Sequence, residues 1–242
     1  MLKVIYVASR GPQISLGECH QHWFEVHGAL HVSAGHKMLG YVQHHTLLAA
    51  YADDPKPTHD GASIIWAASV PALIEAHETA AWRAATEDNL HGVHGGRALF
   101  DENMPIAVAA EHVVLEGKTN PLMVKAIWLA SRHPGVPEAE FLQHWRHVHG
   151  AIAAKVPGVR RYVQNHPVAD SRSYPPVSHD GWSEMWFDDY DAYRRAIASP
   201  EWAAVIEDGD HGLAGGNRPL FDFANMCFVL GRERPMMQPR QG

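Results

Sequence analysis

One nine-residue frame is written twice in this 242-residue chain. Gln21-His22-Trp23 is followed by Val26-His27-Gly28-Ala29, and Gln143-His144-Trp145 by Val148-His149-Gly150-Ala151, so seven of nine positions agree 122 residues apart (143 − 21). The copy extends both ways. Ala8-Ser9-Arg10 matches Ala130-Ser131-Arg132, and Tyr41-Val42-Gln43 matches Tyr162-Val163-Gln164. His59-Asp60-Gly61 matches His179-Asp180-Gly181, and Leu99-Phe100-Asp101 matches Leu220-Phe221-Asp222. A chain with such a repeat folds as one unit used twice, and its function must account for both copies. The boundaries read as a first repeat over 1–117, a second over 118–232, and a loosely held tail over 233–242.

Composition narrows the class. With 46% hydrophobic and 19% charged residues, each half can bury a core of ordinary domain size. A net charge of −7 leaves no basic face for nucleic acid. Cys19 and Cys227 alone make no disulfide framework, which fits a reducing compartment. Met1 to Ser9 reads as a strand rather than a leader, and no apolar run reaches the ~20 residues of a membrane span. The expectation is a soluble, cytoplasmic protein with no membrane partner. Its 19 histidines nearly equal the 20 lysines and arginines together, which invites acid-base or metal chemistry without choosing between them.

Lys3–Ala8 and Lys125–Ala130 are β-branched and apolar, the pattern of buried strands. A helix follows each, opened by a Ser15/Glu18 capping box in the first repeat and by Pro137 and Glu138 in the second. Strands are predicted at Tyr41–Leu47 and Tyr162–His166, then at 61–67 and 181–187. Single helices are predicted over Ala72–Asn89 and Asp191–Asp208, and last strands at Ile106–Leu115 and Phe223–Leu230. Each half is thus β-α-β-β-α-β, a ferredoxin-like unit of the α+β class. One face of each sheet would stay bare unless the two sheets pack together into an α+β barrel within one chain. That leaves a monomeric pseudo-dimer or a homodimer.

At 100° per residue, Leu142, Trp145, His149, Ile152 and Val156 form one apolar stripe, and His20, Trp23, His27, Leu30 and Ala34 form its copy. His27 and His149 therefore point inward. A core histidine tied to a carbonyl would explain one of them. A polar group kept on the apolar face in both copies, where burial is costly, favours function. His144 and His149 fall about 140° apart on an α-helix, so they are no metal pair. His22, His144 and His147 read as solvated. A first-repeat metal site from His27 and His31, or from His91 and His94, has no counterpart in the second copy. Tyr41 and Tyr162 start the strand beneath the helix and can meet the histidine in the cleft. Asp60 and Asp180 precede glycine and serve equally as turn residues. Glu184, flanked by apolar residues, reads as a carboxylate held partly neutral.

The order Trp-x-x-x-His, Tyr-Val-Gln-Asn, then Asp-Gly-x-x-Glu-x-Trp-Phe-Asp resembles the EthD domain family of dimeric α/β-barrel proteins. It is carried by Trp145 to His149, Tyr162 to His166, Asp180 to Asp188 and Ser199-Pro200-Glu201-Trp202. The first repeat is a divergent copy, with Ala67-Ala68 where the second has Phe187-Asp188. The resemblance implies a pocket between sheet and helices and relatives that include cofactor-free lactone isomerases, polyketide dehydratases and decarboxylases. It implies pocket roles for His149, Tyr162 and His179, and for His27, Tyr41 and His59. The third-strand cysteine of the lactone isomerases has no counterpart here.

The expectation is a lyase or isomerase that uses no cofactor or metal and acts on a small cyclic or aromatic oxygenated compound. His149 and Tyr162 would move protons, with His179 and Glu184 completing a relay. Trp145, Met185 and Trp186, with Trp23 opposite, would form the wall, and Asp60 and Asp180 would contact substrate. A haem- or metal-binding barrel and a non-catalytic ligand carrier are the alternatives.

Overall fold

The computed structural model describes residues 1–33, 38–174, 177–213 and 215–239. Eight strands form one closed antiparallel barrel: β1 (Leu2–Ala8), β2 (Gly40–Thr46), β3 (Gly61–Ala67), β4 (Ile106–Leu115), β5 (Val124–Ala130), β6 (Val159–Pro167), β7 (Gly181–Phe187) and β8 (Cys227–Met237). Within a repeat the order is β4-β1-β3-β2 or β8-β5-β7-β6. The repeats join edge to edge, β2 on β8 and β4 on β6, so no sheet edge is left unpaired. The ferredoxin-like reading holds, and the two sheets share ladders as well as a core.

Barrel closure explains a departure from the expected tail. Arg232 to Met237 continues β8 and pairs with Tyr41 to His45 of the other repeat. The last strand also starts later than expected, because Phe223–Asn225 is a 3₁₀ turn ahead of it. Residues 240–242 and Ala34 lie outside the described residues.

The helices pack on the outer face of the sheet. Each helix expected after the third strand is two: α3 (Val70–His77) and α4 (Ala80–His91), then α7 (Tyr190–Ile197) and α8 (Pro200–His211). The break lies where Thr79 and Ser199 accept from the amides of Trp82 and Trp202, starting a new helix. The first helix of each repeat, α1 (Leu16–His22) with α2 (Gly28–Ser33), and α5 (Glu138–His144) with α6 (Gly150–Ala153), carries a π-helical turn in its middle. The turns are Trp23–His27 and Trp145–His149, closed by Gly28 N–H to the Trp23 carbonyl and Gly150 N–H to the Trp145 carbonyl.

Strand alternation divides the side chains into two compartments. On β7, Ser183, Met185 and Phe187 face the helices, while Trp182, Glu184 and Trp186 face the barrel interior. That interior is not purely apolar. Glu184 is buried there between Lys3 Nζ at 2.7 Å and Lys125 Nζ at 2.8 Å, and accepts from Asn165 Nδ2 and Trp182 Nε1 at 2.9 Å each. Lys3 also meets Glu111 at 2.6 Å, and Lys125 meets Glu233 at 2.7 Å. Burial disfavours the Glu184 charge, but the two ammonium groups hold its pKa far below the ordinary carboxylate range. Glu184 is therefore an ionised structural partner, not the partly neutral acid expected, and it lies across the sheet from the pocket.

Candidate active site

Each repeat holds a cavity between its sheet and its helices. The second-repeat cavity, about 70 Å³, is walled by Trp128, Trp145, Met185, Trp202, Phe221 and Met226. Three polar side chains reach it: His149, Tyr162 and Ser183.

His149 is set by the π turn. One extra residue in the turn brings positions five apart to the same side, so His144 and His149 both reach Asp208 at the end of α8. His144 Nε2 lies 2.9 Å from Asp208 Oδ1, and His149 Nδ1 lies 2.8 Å from Oδ2. The first repeat does the same with Asp88, which His22 Nε2 meets at 2.8 Å and His27 Nδ1 at 2.9 Å. His22 and His144 are thus second anchors for a carboxylate rather than solvated side chains. Burial opposes the charges of Asp88 and Asp208, yet the imidazole hydrogen bonds hold both below the ordinary aspartate value. A carboxylate only accepts, so both imidazoles donate to it. His149 therefore carries a proton on Nδ1, and its Nε2, which has no hydrogen-bond partner among the described residues, is the acceptor when the ring is neutral.

The turn is held by a glutamine. Gln164 Nε2 donates to the Trp145 carbonyl at 2.8 Å and to Tyr162 Oη at 2.9 Å, while its Oε1 accepts from His166 Nε2 at 3.0 Å. Gln43 repeats the pattern with Trp23, Tyr41 and His45. This explains Gly28 and Gly150 in the repeated frame, because a Cβ there would lie 2.6 or 3.0 Å from the glutamine Nε2. Gly61 and Gly181 likewise leave room for the Trp23 and Trp145 rings. Tyr162 accepts from Gln164 and has the Ser183 hydroxyl as a second hydrogen-bonding neighbour, and its own O–H is a donor on the cavity wall. Burial pushes its pKa up to about 12, so the proton stays on at neutral pH.

The first-repeat cavity is larger, about 260 Å³, and has more polar groups on its wall. Trp23 and His27 line it as expected, but Tyr41 does not. The His31 ring lies edge-on to Tyr41, with centroids 5.6 Å apart, and occupies the cavity wall where the second repeat has Ala153. Tyr41 bonds instead to Ser63 Oγ at 3.3 Å.

Several sequence expectations fall outside the pockets. His179 is held between Ser178 Oγ and the Asn225 carbonyl, at 2.8 Å each, and lines a polar surface recess. His59 meets Thr58 Oγ1 at 2.8 Å. Asp180 accepts from the Arg132 amide and guanidinium at 2.9 and 2.7 Å, and Asp60 does the same for Arg10 at 2.8 and 2.6 Å. These aspartates pin the loop after the first strand of each repeat. Trp186 faces the barrel, 4.8 Å from Lys125 Nζ. Glu184, Met185 and Trp186 cannot share one wall because neighbours on a strand point to opposite faces. Met185 and Trp145 do line the pocket. Missing from the sequence reading were Asp88 and Asp208, although Glu87-Asp88 recurs as Glu207-Asp208 at the offset of His59 and His179. Among the described residues, no group of three or more His, Cys, Asp or Glu is placed to hold a metal, and no helix is long and apolar enough to cross a membrane.

Comparison with known proteins supports the frame. Residues 133–216 match the model of the EthD domain, within the second repeat. An anthrone oxidase-like protein of known structure is 12% identical over 100% of this chain and 95% of its own, with a TM-score of 0.59. An ethyl tert-butyl ether D (EthD) family protein from Bacillus halodurans C-125 is 24% identical over 46% of this chain and 99% of its own, with a TM-score of 0.36. SnoaB, a cofactor-independent oxygenase from Streptomyces nogalater, is 21% identical over 50% of this chain and 96% of its own, with a TM-score of 0.30. No curated protein matches the chain.

Proposed function

We propose, for a chain whose residues 133–216 are an EthD domain, that the second-repeat pocket moves protons on a small, largely apolar, oxygenated cyclic or aromatic compound. The activity is that of a lyase or isomerase acting without a cofactor. The observation that carries this reading is the unpartnered Nε2 of His149 in an apolar pocket, its other nitrogen held by Asp208, with the Tyr162 hydroxyl on the same pocket wall.

His149 Nε2 takes a proton from carbon next to a carbonyl, and the C–H electron pair becomes the enolate. Tyr162 donates to the developing oxyanion, a hydrogen bond that strengthens as charge builds in a water-poor site. Asp208 stabilises the imidazolium that forms. The proton then returns to another carbon, which completes an isomerisation. Alternatively it goes to a leaving hydroxyl on the β carbon, which departs as water. Trp145, Trp202 and Phe221 hold the ring of the substrate.

The test is a panel of lactones and aromatic hydroxyketones in deuterated buffer, read by mass spectrometry for deuterium uptake and product. Positioned general acid-base catalysis contributes roughly 10²–10⁴-fold, and His149→Ala should lose that much. Undiminished turnover in a His27→Ala, His149→Ala double variant would sink the proposal. Dioxygen consumption coupled to turnover would move it to oxygenation.

A further inference from the structure

The two cavities sit at equivalent places in one duplicated frame but have diverged in a single direction. Where the second repeat has Trp128, Ala153, Ile197, Ile206 and Gly209, the first has Tyr6, His31, His77, Thr86 and Asn89. Four of the five changes add a polar group, and the fifth exchanges an indole N–H for a phenol. We infer that the first-repeat cavity is a separate binding site for a neutral aromatic compound bearing two adjacent oxygens, and not a second copy of the proton-transfer site.

Three features carry this assignment. The His27–Tyr41 pair is dismantled, since His31 takes the wall position that would open Tyr41 to the cavity. His31 is itself only 8% exposed, and neither of its ring nitrogens has a hydrogen-bond partner among the described residues. A buried polar group left so is an unmet demand that a ligand can satisfy. His27, with Nδ1 held by Asp88, presents a bare acceptor next to it, the two ring centroids being 4.8 Å apart. A bare acceptor beside a ring that can donate suits a hydroxyl adjoining a second oxygen. Among the described residues no Asp, Glu, Lys or Arg lines the cavity, and Trp23, Trp82 and Phe100 supply flat apolar walls, which suits a neutral aromatic ligand.

The far end of the cavity is closed across the repeats. Tyr174, from the loop after β6, bonds to Tyr6 and to His77, and Tyr6 lies 3.3 Å from His77 Nε2. His77 stacks on Trp82 at 3.9 Å. Tyr174 thus ties a second-repeat loop to the wall of the first-repeat site, and these hydroxyls, already paired, leave His27 and His31 as the groups that read the ligand.

Titration calorimetry of the full chain with a dihydroxynaphthalene whose hydroxyls are adjacent, beside a mono-hydroxy naphthol, tests the assignment. The expected result is one equivalent of diol per chain. His31→Ala, the second-repeat residue at that place, should weaken the diol about tenfold, one hydrogen bond's worth, and barely change the naphthol. Because this is a ratio within one variant, a general loss of fold cannot mimic it. His27→Ala with His31→Ala should abolish the preference for the diol over the naphthol, and Val205→Phe, which fills the second cavity, should leave diol binding intact. Two equal sites, loss on Val205→Phe, equal weakening of both probes by His31→Ala, or no diol binding would each overturn the inference. None of these readouts depends on turnover at His149.

Discussion

The two repeats share a backbone and differ in what they bury. The first buries neutral imidazoles: His31, His44 and His45, with His77 half-buried. The second keeps His166 at the place of His45, has Asn165 at that of His44 and the apolar Ala153 and Ile197 at those of His31 and His77, and supplies the Glu184 carboxylate that both barrel lysines share. At that register the first repeat has Ile64. The contrast teaches how to read a buried polar group. Where every atom is paired, as at Glu184, the group holds the barrel. Where one atom is anchored and another left bare toward a cavity, as at His149, the group is available for chemistry.

Acid should separate the repeats most strongly. Burial pushes His31 and His44 down to about 3, His45 to about 2 and His77 to about 4 in the first repeat, and His166 to about 3 in the second. In the unfolded chain an imidazole titrates near 6.5. Below that pH the unfolded chain binds protons that the folded one refuses, so stability falls as pH drops from about 6.5 toward 4. Native-state hydrogen exchange at pH 7 and pH 5 should show the first repeat losing protection first. Equal losses would erase the contrast.

Glu184→Ile makes the second repeat like the first and leaves two buried lysines with one outer carboxylate each. The loss should be about 3–5 kcal/mol in denaturant unfolding at unchanged slope. A loss below about 1 kcal/mol would mean that Glu111 and Glu233 suffice.

Asp208→Asn offers His149 an amide in place of a carboxylate, so the imidazole no longer has its Nδ1 proton fixed. Turnover should fall roughly 10²-fold or more, with the tautomer change visible in nitrogen NMR. Asp88→Asn should leave turnover unchanged, and an equal loss there would make the first cavity catalytic too.

The smallest effect distinguishes the glycines. A Cβ on Gly28 would lie 2.6 Å from both Gln43 Nε2 and Met236 Cε, whereas on Gly150 the nearest approach is 3.0 Å, to Gln164 Nε2. Gly28→Ala should cost about 1 kcal/mol through crowding, while the helix preference for alanine should bring Gly150→Ala near neutral. Thermal melts compare them directly.

Much of the fold was legible because periodicity is local. The strands at 3–8 and 125–130, the capping box at Ser15 and the inward turn of His27 and His149 follow from spacing alone, and the repeat dictated that two sheets must cover each other. The site was legible in part. His149, Tyr162, Trp145 and Met185 line one pocket as expected, whereas Glu184 and Trp186 were misplaced although strand alternation already put them on the other face. The helix breaks at Thr79 and Ser199 were missed because an Ala-rich stretch masks a cap residue in its middle.

The sequence by itself determined the duplicated βαββαβ frame, because hydrophobic period and repeat identity are properties of the chain taken a few residues at a time. Only the tertiary structure decided which polar groups are spent. The π turn sets His144 beside His149, and about sixty residues of chain separate both from Asp208. Barrel closure brings Lys3 to Glu184 and Tyr174 to Tyr6 across the repeats. Pairings between groups so far apart depend on the packing of whole elements, and no local pattern encodes them.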